Sequence, residues 1–253
     1  MLIECLSSRI PFAADFGEAL VCYSPDVGQH PASVFSTVLV AEGEESAGQT
    51  GGTGQTGGTG TTGTTGGTGS GLIGPKPSLA TILTQYQVPN SPMTIFDPSI
   101  FVTPRPVTQA ELAILEDMSY IQLLDLNWSK EGAYAWTNSN FPVEQLEDGH
   151  GDAARHCFAN VLVSHYFGAE FALAIGNAHE MVPGNPPPRE AMDLYNNGVG
   201  IRIQQENPNA TIAEWQNLVM QALANGDLLV IDLNGDLAWS NEVTPGNTGH
   251  SGR

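Results

Sequence analysis

Basic residues are scarce: the 253-residue chain carries 8 Lys+Arg against 27 Asp+Glu, a formal charge of −19. Nucleic acid is therefore not an expected partner, because phosphate binding needs a basic footprint. The same deficit argues against electrostatic docking on anionic lipid. Cysteine is nearly absent. Cys5, Cys22 and Cys157 are an odd number at spacings that fit neither a disulfide framework nor a zinc pattern. Cys157 lies within a helical stretch and reads as a small buried hydrophobe, not a nucleophile. No run of 18 apolar residues occurs, so no transmembrane segment is expected. The segment Met1–Phe16 lacks a basic stretch followed by an apolar one, so no secretory signal is expected.

What is present divides the chain into five parts. Residues 1–46 alternate in the β manner, as in Ala19–Ser24 and Ser33–Val40, and predict a small β-rich module. A module of that size buries little surface alone. It is expected to anchor the chain through a homo-oligomer or a larger particle. Residues 47–72 are dominated by Gly, Thr and Gln, the composition of a disordered, flexible linker. No Gly-Lys-Ser/Thr follows, so this glycine repeat is not a phosphate loop. Residues 73–107 are Pro-rich and expected to be extended, apart from a short helix over Ser78–Tyr86. Residues 108–243 are expected to fold as a mainly α domain of five to six helices with a terminal β-hairpin. Residues 244–253 read as a disordered tail.

Within 108–243, Thr108 and Glu111 form a capping-box pattern that opens a helix running to about Leu126. A shorter helix is expected over Lys130–Thr137. Two more span about Gly151–Phe167 and Ala169–Met181, broken at Gly168. Another runs from Arg189 to about Glu206. Thr211 and Glu214 open a last helix that ends at Asn225-Gly226, a left-handed cap. Asn234-Gly235 between alternating apolar residues signals the hairpin. A calcium loop at Asp232–Asp236 is disfavoured, because its spacing is wrong and no later glutamate follows.

Three of these helices carry polar residues where a core face is expected. At 100° per residue, Asp152, Arg155, His156 and Ala159 share a face, with Asn160 at its edge. Ala172, Ile175, Gly176 and His179 share another, with Glu180 alongside. Asp193, Asn197 and Gly200 form a strip beside Asn196. Burying such groups unpaired costs roughly 1–3 kcal/mol each, so they are expected to meet and satisfy one another. Arg155 is expected to pair with Asp152, Asp193 or Glu180. His30, His150, His165 and His250 read as loop or surface residues, and the four tryptophans as core or edge packing.

The pattern D-A-x-R-H-x-x-x-N at Asp152–Asn160, A-H-E at Ala178–Glu180, and M-D-x-x-N-N-x-x-G at Met192–Gly200 resembles a family of bacterial and phage-associated helical domains without an established activity. The likeness covers roughly residues 110–230, and departs from the family where Ala159 replaces a frequent tryptophan. It implies a compact helical domain, found as a tail module on envelope or secreted proteins, and supplies no reaction.

The residues themselves suggest a hydrolase-like effector, acting on a cell-envelope or other extracellular substrate. Arg155, His156, His179, Glu180, Asp193 and Asn197 are the candidate catalytic group, with Asp152, Asn160 and Asn196 in support. In one version His156, His179 and Asp193 hold a divalent metal such as zinc. In the other, a histidine oriented by a carboxylate acts as general base, and Arg155 stabilises developing negative charge. Against both stands a structural or adhesive component of a surface appendage or virion, whose polar network merely fixes helix packing. The sequence does not fix the location, and an extracellular, cell-surface or virion one is favoured.

Overall fold

A computed structural model describes residues 76–98 and 104–249. The expectations for residues 1–46 and 47–72, for Cys5 and Cys22, and for His30 and His250 lie outside the described residues.

The described residues form seven α-helices and two small antiparallel sheets. Helix α1, Leu79–Gln85, starts where Ser78 Oγ accepts the Thr81 N–H at 3.1 Å. The Pro-rich segment then contributes strands β1, Met93–Phe96, and β2, Arg105–Thr108, paired from Met93 with Thr108 to Phe96 with Arg105. Pro106 is tolerated because a two-stranded ribbon leaves its outer edge free of ladder bonds. Helix α2, Gln109–Glu116, is capped by Thr108, whose Oγ1 accepts the Glu111 N–H at 2.9 Å. The Glu111 carboxylate does not complete the expected capping box. It turns instead to Arg105 and His179.

The sequence pattern extended this helix to Leu126 and placed a separate helix over Lys130–Thr137. The chain instead breaks at Asp117–Ser119 and runs as one helix, α3, Tyr120–Asn140. The cause is a second capping box: Ser119 Oγ accepts the Gln122 N–H, and Gln122 Oε1 accepts the Ser119 N–H at 2.9 Å. Helices α4, His150–Phe167, and α5, Ala169–Glu180, meet at Gly168, whose φ of 86° only glycine adopts readily. Helix α6, Pro187–Glu206, has proline at its start, where the missing N–H costs nothing. Helix α7, Ile212–Asn225, opens with the Thr211–Glu214 box and closes on left-handed Gly226. Strands β3, Leu229–Ile231, and β4, Leu237–Trp239, form the hairpin. Asp232 Oδ1 accepts the Asn234 and Asp236 N–H groups at its turn.

Helix α4 is central, packing against α3, α5, α6 and α7. Ala153, Ala154, Cys157, Phe158 and Val161 supply its core face, against Met192, Val199 and Ile203 of α6 and Trp215 and Val219 of α7. A second apolar cluster ties Phe96, Val107 and Leu115 to Val163, Ala172 and Ile175. Gly200 lets α6 touch α4: a Cβ there would penetrate the Cys157 carbonyl. Asn196 is fully buried and clamps β3 to α6. Its Nδ2 donates to the Leu229 carbonyl, and its Oδ1 accepts the Leu229 N–H, both at 2.9 Å.

Order continues past Val243, where the sequence read as a tail. Pro245–Asn247 make a 3₁₀ turn, and Thr248 bridges to Asp232. His150, expected in a loop or at the surface, is buried beneath this segment. Its Nε2 faces the Ser240 carbonyl at 2.8 Å, and its Nδ1 faces Gln145 Oε1 at 3.2 Å. The polar requirements of Gln145 and His150 thus hold the C-terminal segment in place, which apolar periodicity does not register. Among the described residues, no helix is long and apolar enough to cross a membrane.

Candidate functional site

A cleft of about 140 Å³ opens among α2, α3, α4 and α5, with Asn197 of α6 reaching its floor. Phe96, Leu115, Leu126 and Ile175 give it apolar walls. Arg155, His156, Asn160, His179, Glu180 and Asn197 all line it. Gly176 makes the floor possible, because a Cβ there would lie 3.3 Å from both Asn160 Oδ1 and Asn197 Nδ2.

His156 is the hub. Its Nε2 lies 3.4 Å from Asp152 Oδ1 and 3.5 Å from Asp193 Oδ1. Its Nδ1 lies 3.3 Å from Asn197 Oδ1 and 3.7 Å from Glu180 Oε1. Asn197 Oδ1 also accepts from Asn160 Nδ2 at 2.6 Å. Asp152 and Asp193 sit behind the ring and do not line the cleft.

The two carboxylates at Nε2 are held differently. Asp152 receives Arg155 Nη2 on Oδ1 and the Asp148 N–H on Oδ2, the latter at 2.6 Å. Asp193 Oδ1 and Glu180 Oε1 are buried and receive no hydrogen bond from the described residues. Burial pushes the Asp152 carboxyl up, yet the Arg155 guanidinium and the His156 contacts outweigh it and bring it to about 2. Burial drives Asp193 well above the usual range, with Glu180 and Asp152 adding to the rise against the pull of His156. For His156, burial acts downward, but Asp193 and Asp152 raise it overall. Arg155 also donates from Nη1 to Tyr134 Oη at 2.9 Å and lies over that ring.

His179 stands at the mouth with 54% of its side chain exposed, and its Nδ1 faces Glu111 Oε2 at 3.1 Å. Desolvation lowers it, but the Glu111 hydrogen bond and the Glu180 and Glu111 charges raise it overall. Glu111 is held in turn by Arg105 Nη2 at 2.5 Å.

A family model described as "Domain of unknown function (DUF6973)" matches residues 115–227. The chain is thus similar to an uncharacterised domain family over that span. No curated protein and no solved structure matches the chain. The matched span contains Asp152, Arg155, His156, Asn160, His179, Glu180, Asp193 and Asn197, and leaves Arg105 and Glu111 outside it.

The sequence-selected residues do not all converge. Asn196 belongs to the β3 clamp, turned away from the cleft. Among the described residues, the side chains whose candidate ligand atoms gather within 4.8 Å of one another are Asp152, His156 and Asp193. His179 is not in that group, because Glu111 holds it at the mouth. Glu111, Arg105 and Tyr134 were not among the selected residues. Asn127, Lys130 and Tyr134 do recur at helical spacing, a polar stripe that marks the α3 face on the cleft.

Proposed function

We propose that the helical domain is a hydrolase-like effector whose reaction centre is the polar floor of this cleft. One observation carries the reading: a largely buried imidazole, ringed by carboxylates at both nitrogens, reaches the floor of an open, partly apolar cleft. Desolvated groups of opposing charge beside an accessible space are the usual setting for proton transfer and water activation. Arg155 and His179 lie where negative charge developing on a substrate would be stabilised. Glu180 and Asn197 orient the ring. The composition of residues 1–46 and 48–71 supports display of the domain toward a cell-envelope or other extracellular substrate, in a bacterial or phage setting.

The test is a panel of ester, amide, glycoside and phosphodiester substrates, with isolated cell envelopes, offered to the full chain and to His156→Gln and Arg155→Lys. Turnover that falls by about 100-fold or more in the variants, with melting temperatures little changed, is the expected result. A second reading is favoured by the fact that both His156 nitrogens already face protein groups: a network that only fixes the packing of α4, α5 and α6. Absence of turnover throughout the panel, with variants that change melting alone, would establish that reading in place of the first.

A further inference from the structure

The geometry points to a divalent-cation site formed by Asp152 and His156 of α4 and Asp193 of α6, with Glu180 at the other ring nitrogen of His156. This rests on the reading of the cleft as a reaction centre and says what fixes and polarises its central imidazole. Three observations converge on it. The first is spacing. First-row divalent ions hold imidazole nitrogen and carboxylate oxygen at about 2.0–2.2 Å, which sets neighbouring ligand atoms about 3–3.5 Å apart. His156 Nε2 lies 3.4 Å from Asp152 Oδ1 and 3.5 Å from Asp193 Oδ1.

The second is the orientation of the ring. Metal-binding histidines present one nitrogen to the ion and donate the other N–H to a carboxylate or carbonyl. His156 presents Nε2 to the two aspartates and Nδ1 to Asn197 Oδ1 and Glu180 Oε1. Asp152 is oriented as well, by the Asp148 N–H on its other oxygen. Arg155 takes one lone pair of Asp152 Oδ1, and a carboxylate oxygen has a second to offer.

The third is the buried Asp193 Oδ1. It receives no hydrogen bond from the described residues, although only 5% of Asp193 is exposed, and it is aimed at His156 Nε2. A buried carboxylate oxygen without a donor is costly, and a cation between Asp193 and His156 would satisfy it. The composition agrees: three carboxylates, those of Asp152, Asp193 and Glu180, stand against the single guanidinium of Arg155 around the imidazole. One imidazole with two carboxylates suits Mn²⁺ or Zn²⁺. The ion would lie on the inner side of the His156 ring and, through that ring, would polarise the Nδ1–H that faces Asn197 and Glu180 at the cleft floor.

The experiment is titration of the chelator-treated full chain with MnCl₂ or ZnCl₂ by calorimetry. One equivalent should bind, and affinity should fall by about tenfold or more in Glu180→Gln and further in Asp193→Asn. In parallel, ¹⁵N NMR of the wild type should show the Nε2 resonance of His156 moving on Zn²⁺ addition, a readout that needs no variant to fold. Failure of either ion to bind, or binding that leaves His156 Nε2 unmoved, overturns the site. Turnover by the chelated protein would sink the cation and leave the hydrolase reading standing. Stoichiometric binding without turnover on the substrate panel would do the reverse.

Discussion

Asp152 and Asp193 face the same nitrogen of His156 at nearly equal distance, yet their removal should have opposite consequences. At pH 7, Asp152→Asn takes away a carboxylate whose folded pKa is brought from 3.8 to about 2. About two units of depression correspond to roughly 2–3 kcal/mol. The sign follows from linkage: a depressed carboxylate stabilises the fold above its unfolded pKa, and that stability is lost as pH falls through the folded value. The loss should therefore occupy the window from about pH 4 to about pH 2. The substitution also strands the Arg155 guanidinium, which raises the total to roughly 3–5 kcal/mol. Asp193→Asn removes a carboxylate whose folded pKa is raised by burial. Such a group weakens the fold progressively as pH rises above the unfolded value, so its neutral isostere should be no less stable than the wild type at pH 7. Urea denaturation followed by tryptophan emission reads both, because Trp215 is buried in the core. Equal destabilisation by the two variants would refute the asymmetry, and with it the assignment of Arg155 to Asp152.

Two further outcomes follow from packing and burial. Gly200→Ala places a Cβ into the Cys157 carbonyl, which is backbone and cannot rotate away; α4 and α6 must separate, at a cost of about 3 kcal/mol or more, measurable as a lowered urea midpoint. Burial lowers the His150 pKa despite its carbonyl partners. The unfolded chain therefore takes up that proton first as pH falls through about 6.5, and stability declines from there by at most about 1.4 kcal/mol per pH unit. His150→Gln, which keeps a donor for Ser240, should show a shallower decline between pH 6.5 and 5; an unchanged slope would place the proton elsewhere.

The helices that position the site were readable because punctuation and periodicity agree there. Gly168 breaks α4 from α5, Thr211 with Glu214 starts α7, and Gly226 ends it. Where two patterns competed, the apolar period misled: it runs through Asp117–Ser119 without interruption, and only the Ser119–Gln122 box marks the start of α3. Faces were legible for the same reason. Asp152, Arg155 and His156 share one turn of α4, and Asp193 and Asn197 share one strip of α6, so they meet wherever those helices pack at Gly200. Partners arriving from outside a helix were not legible. Glu111 looked like a cap residue because the Thr-x-x-Glu spacing is the same whether the carboxylate folds back or reaches out. It reaches out because β2 brings Arg105 to within 2.5 Å and α5 brings His179 to 3.1 Å.

That divergence bears on how the site is organised. The residues around His156 lie within the span matched by the uncharacterised domain family, whereas the Glu111 and Arg105 that hold His179 lie before it. The floor is thus supplied within the matched span, and the mouth partly from before it, by Arg105 and Glu111, and partly from α5, by His179. Helices α4, α5 and α6 fix the floor through hydrogen bonds and backbone contact, and little can vary there without leaving a buried charge unpaired. The mouth hangs on a two-stranded ribbon and a short helix, where Met93 and Ile95 are exposed while Phe96, Val107, Thr108, Glu111 and Leu115 are buried. On the proposed hydrolase reading, such a division would assign substrate choice to the mouth, around Arg105, Glu111 and His179.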